Sequence, residues 1–157
     1  KVVWVSFVAR LVVCTPNFRA RPIVVFDFDQ TLAVSTVVPA MLGDASQLAF
    51  GGSERVVMLG QLFAQLHSMD VAVAIVSFNS EETIQKALAE ADLKIVAHDM
   101  IFGEQAFEQN ADFSYSKAAL ITDRITAILP GGPPCRLLFV DDSLNNVHAV
   151  QQNVAGS

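Results

Sequence analysis

The sequence predicts an α/β fold: a doubly wound, Rossmann-like parallel sheet with helices on both faces. Three observations carry that expectation. Short β-branched and aromatic runs recur along the chain. Segments with apolar residues at helical spacing separate them. Acidic and hydroxyl residues gather where the short runs stop, the edge at which open parallel sheets bind ligands. The 157 residues, 52% hydrophobic and 17% charged, suit one domain with several fully buried strands. A net charge of −6 with only ten Lys and Arg excludes a broad nucleic-acid or anionic-membrane surface.

Residues 1–22 read as an N-terminal extension packing on a domain formed by 23–157. Within the extension, 2–7 and 11–13 are apolar, but Arg10 interrupts them and no small-x-small cleavage site follows. The expectation is a strand or short helix rather than a secretory leader. The chain has no obvious strand after its final helix, so this apolar run is the candidate for that sheet edge. No run is long enough to span a bilayer. Cys14 and Cys135 are too few for a disulfide framework and read as reduced core residues, consistent with a cytoplasmic setting.

Residues 15–22 read as a polar linker, and 23–26 as the first core strand. A mixed segment over 32–52 ends at Gly51-Gly52, a break before a helix. Ser53 is the expected N-cap with Glu54 in the first turn. Val56, Leu59, Leu62, Phe63 and Leu66 form its core-facing stripe. Residues 71–76 are the second strand. Asn79 or Ser80 caps the next helix, which runs to about Ala91 with Ile84 and Leu88 inward. Residues 94–97 read as a short strand, and Ile101-Phe102 as an extra one. A helix over 116–129 buries Leu120, Ile121, Ile125 and Ile128, and the Pro-Gly run at 130–134 stops it. Residues 136–140 are the last core strand, and 144–152 the closing helix.

The chemistry lies at the strand ends. The first strand delivers Asp27 and Asp29, the second Ser77, and the last Asp141 and Asp142, while Lys117 opens the helix between them. Parallel strands bring these ends to one crevice. Four carboxylates there repel strongly unless a cation intervenes, and a hard, oxygen-seeking ion such as Mg²⁺ resolves the conflict. A hydroxyl and an ammonium fit a phosphate. His67, His98 and His148 have no metal-ligand spacing and read as surface or satisfied core residues.

Over residues 23–150 the chain resembles the haloacid dehalogenase superfamily. The four motifs of that family are matched in order by Asp27-x-Asp29-x-Thr31, by Ser77 after 74–76, by Lys117, and by Asp141-Asp142 with Asn146. The resemblance implies Asp27 as the nucleophile that forms an aspartyl-phosphate, and Asp29 as the general acid and base. It implies Mg²⁺ held by the Asp27 carboxylate, the Asp29 carbonyl and chiefly Asp142, with Asp141 a ligand or outer partner. Asn146, rather than Asn145, matches the supporting polar position. Thr31, Ser77, Phe78, Asn79 and Lys117 fall in the substrate-binding set. Gln30 stands where the family more often has Gly or Ala.

Asp29 selects phosphate chemistry, since the family's dehalogenases lack a second Asp acting as acid and its ion-pumping ATPases carry Lys there. The order of motifs, acidic pair last and Lys opening a helix, excludes a two-component receiver domain. The twenty or so residues of 33–52 are too few for a cap of ordinary size, so the expectation is a cap-less or minimally capped phosphatase with 33–52 as a flap. Its substrates would be phosphorylated small esters or phosphoproteins, with neither nucleic acid nor membrane as partner. A phosphotransferase, or a catalytically silent binding protein of the same fold, are the alternatives.

Overall fold

A computed structural model describes residues 8–13, 21–43, 46–93, 100–108, 116–125 and 136–154. Five strands form one sheet: β1 (Val8–Val13), β2 (Ile23–Phe26), β3 (Ala72–Val76), β4 (Ile101–Phe102) and β5 (Arg136–Asp141). Their order is β1-β5-β2-β3-β4. The last four run parallel, and β1 pairs antiparallel with β5. The apolar N-terminal run thus contributes the edge strand over Val8–Val13.

The helices are α1 (Ser46–Ala49), α2 (Ser53–Ser68), α3 (Glu81–Glu90), α4 (Glu104–Glu108), α5 (Lys117–Leu120) and α6 (Leu144–Val154). Both faces of the sheet are covered, because alternate residues of each buried strand are apolar in both directions. Val24, Phe26, Val73 and Ile75 pack with Leu59 and Phe63 of α2 and Ile84 and Leu88 of α3. Phe26 and Phe63 meet edge to face at 5.6 Å. On the opposite face Val25, Ala74 and Phe139 pack with Ala118, Leu120 and Ile121 around α5 and with Val147 and Val150 of α6. The result is a Rossmann-like α/β sandwich. No helix among the described residues is long and apolar enough to cross a membrane.

Three local expectations change. Ser53 is the first residue of α2 rather than its cap; Gly52 holds the cap position at φ +99°, after Gly51 at φ +84°. Those angles suit glycine, so the chain enters the helix one residue earlier than the hydroxyl suggests. Leu62 is 39% exposed, because Leu59 and Phe63 already fill the face that meets the sheet. The helix after Ser116 widens into a broader turn over Ile121–Ile125, which still buries Leu120, Ile121 and Ile125. Of the other expectations, the strand over 94–97, Ile128, His98 and both cysteines lie outside the described residues.

Candidate active site

Strand register assembles the site. Phe26 pairs with Val140 on one side and with Ile75 on the other, so Asp27, Asp141 and Ser77 leave adjacent parallel strands at one edge. The Asp27 N–H donates to the Val140 carbonyl at 2.8 Å, which extends the ladder to the first carboxylate. Ser77 is tied likewise, its N–H donating to Phe102 of β4 at 3.0 Å.

At the centre is Lys117, only 3% exposed. Ser116 caps α5, accepting the Ala119 N–H on its hydroxyl, and so sets the helix start that aims Lys117 at the sheet edge. Lys117 Nζ lies 2.5 Å from Asp27 Oδ1 and 2.7 Å from Asp141 Oδ2. The Asp141 carboxylate is fully buried and held on both oxygens. Oδ1 accepts the Ser143 N–H at 2.8 Å and Asn146 Nδ2 at 3.0 Å, and Nδ2 also reaches Oδ2 at 3.2 Å. Asn146 is the third residue of α6, in its first turn, and half-buried, whereas Asn145 is exposed.

Asp142 follows and faces solvent. Oxygens of Asp27, Asp141 and Asp142 come within 4.8 Å of one another, three carboxylates against one ammonium. Burial pushes the Asp27 carboxyl up to about 6, and the nearby Asp141 charge adds to the rise; the Lys117 ammonium and the Phe28 N–H oppose it.

Asp29 stands apart from that cluster. Its Oδ1 accepts the Val37 N–H at 2.8 Å, and Asn79 Nδ2 donates to both its oxygens at 3.1 and 3.2 Å. Burial raises its pKa, while the Val37 and Asn79 hydrogen bonds pull it down. Asp29 and Gln30 break the helical turn Phe28–Leu32, and Gln30 takes φ +58°. That left-handed conformation favours glycine, so the turn holds Gln30 in a backbone geometry that is costly for a residue with a Cβ.

Thr31 is buried within the same turn, and its Oγ1 has no hydrogen-bond partner among the described residues. Ser77 is also buried, its hydroxyl accepting the Asn79 N–H at 3.2 Å. Phe78 is 55% exposed; its ring lies 5.2 Å from Lys117 Nζ and 4.7 Å from the Phe107 ring. The cap of α3 belongs to Ser80, whose hydroxyl accepts the Thr83 N–H, which leaves the Asn79 amide to Asp29. Lys86, the single cation of α3, lies 4.0 Å from Glu90 and away from the site.

One supporting residue has no motif to announce it. Arg55 of α2 donates from Nη1 to the carbonyl oxygens of Leu32 (2.6 Å) and Phe50 (3.0 Å), and from Nη2 to that of Thr31 (2.9 Å). It clamps the Asp27–Thr31 turn to the end of the 33–52 segment. An Arg in a helix's first turn, three residues after a glycine pair and opposite the helix dipole's preference, is the faint sequence signal for it.

Sequence comparison finds no matching protein-family model and no matching curated protein.

Proposed function

We propose that the chain is a minimally capped phosphatase of the haloacid dehalogenase superfamily, a Mg²⁺-dependent phosphomonoester hydrolase of a cytoplasmic setting acting on small esters or phosphoproteins. The observation that carries this reading is the separation of two carboxyl environments. Asp27 shares Lys117 with a buried carboxylate beside an exposed one, whereas Asp29 is held by neutral donors. A nucleophile and an acid–base group need such different surroundings.

The donor set fits a hard cation: the clustered Asp27, Asp141 and Asp142 side chains all offer carboxylate oxygens, and one of the three faces solvent. Asp27 and Asp142 would hold Mg²⁺, with Asp141 as the partner that fixes Lys117 and the loop after β5. Bound there, the ion would offset charge on the phosphoryl oxygens. The chain's own groups do the rest. Asp27 attacks phosphorus, the P–O bond to the leaving group breaks, and Asp29 gives that oxygen its proton. Asp29 then takes a proton from water as the water oxygen attacks phosphorus, which frees Asp27 and inorganic phosphate. Ser77 and Lys117 hold the phosphoryl group throughout.

Phosphate release from p-nitrophenyl phosphate with Mg²⁺ tests the reading. Asp27→Asn is expected to lower turnover by at least about a thousandfold, in line with loss of a nucleophile. Turnover that survives in Asp27→Asn would refute it.

A further inference from the structure

The loop after β3 carries an amide that the steps above leave without a task. Asn79 Nδ2 donates to the Val37 carbonyl at 2.7 Å and to Asp29 Oδ2 and Oδ1. Its Oδ1 accepts the Ser80 N–H at 2.8 Å. That contact fixes which way the amide faces, oxygen toward a donor and nitrogen toward acceptors. The backbone beneath it is anchored as well. The Glu104 N–H donates to the Asn79 carbonyl at 2.8 Å. A Cβ on Gly103 would stand 2.3 Å from the Glu81 nitrogen and 2.7 Å from the Asn79 oxygen, so only glycine lets the two loops meet this closely.

The two Asp29 oxygens differ as a result. Oδ1 accepts both the Val37 N–H and the Asn79 amide, while Oδ2 accepts the Asn79 amide alone. We infer that Asn79 is a positioning residue: its amide fixes the orientation of the Asp29 carboxyl and couples it to Val37 in the 33–52 segment. The inference rests on the phosphatase reading and deepens it.

Proton delivery matters in proportion to how poor the leaving group is: an alkoxide needs it, p-nitrophenolate hardly does. Asn79→Asp retains an acceptor for the Ser80 N–H and removes the donor; Asn79→Ala removes both. Turnover of glycerol 2-phosphate and p-nitrophenyl phosphate is measured with Mg²⁺ for each variant and the wild type. Expected is a fall in kcat of at least about thirtyfold on the alkyl ester, about threefold or less on the aryl ester, and little change in KM in Asn79→Ala. If Asn79→Ala fails to fold, Asn79→Asp carries the comparison of the two esters alone. Equal losses on both esters assign Asn79 to phosphoryl binding and overturn the inference, as does unchanged activity on both. A folded wild-type chain inert on both esters overturns the phosphatase reading itself, and the positioning role with it.

Discussion

At the scale of single residues, Asp27 bears opposing demands. Its raised pKa means the folded protein holds a proton that the unfolded chain has already released between about pH 4 and 6. Proton uptake by the native state in that window makes this residue's contribution to stability fall as pH rises through it. Asp27→Asn removes the contribution, so in EDTA the variant is expected to gain stability relative to wild type between pH 4 and 7, by up to about 3 kcal/mol. Urea unfolding at a series of pH values measures the difference; a gap that stays constant with pH would contradict the assignment. The carboxylates and Lys117 were legible because each ends a β-branched run or opens an amphipathic helix. The bond from Asn79 to Asp29 was not. It joins residues 50 positions apart, and nothing local distinguishes it from a helix cap.

Among the elements, the segment joining β2 to α2 depends on one cation. Arg55 satisfies three backbone carbonyls that have left the sheet, and burial lowers its pKa. Arg55→Ala is expected to cost about 2–3 kcal/mol, since buried acceptors are left without donors. Arg55→Lys should recover only part, a single ammonium being unable to span the fork. Chemical denaturation gives the loss, and limited proteolysis within 33–52 should speed up in parallel. A variant as stable as wild type would show that water replaces the guanidinium. The elements themselves were largely readable from period and breaker residues. Their fine placement was less so: the Gly51-Gly52 pair, by adopting positive φ, moved the start of α2, and the narrow buried face of that helix left Leu62 outside.

For the molecule as a whole, the sheet edge stores unbalanced charge that an ion would relieve. A ligand that binds only the native state adds about 2.7 kcal/mol at a hundred times its dissociation constant. Mg²⁺ is therefore expected to raise Tm by several degrees, reversibly with EDTA, and Asp142→Asn to abolish most of the rise while folding normally. An equal rise in Asp142→Asn would place the ion elsewhere.

The antiparallel strand β1 carries a further consequence, one of timing. The first described strand finds its partner in β5, the last, and β5 also supplies Asp141 to the pair formed by Asp27 and Lys117. A chain emerging from the ribosome holds Asp27 and Asp29 early but cannot assemble the ammonium-centred cluster until β5 docks between β1 and β2. Such long-range closure is slow and leaves strand edges open meanwhile. Completion of the sheet and assembly of the Asp27–Lys117–Asp141 cluster are therefore one event.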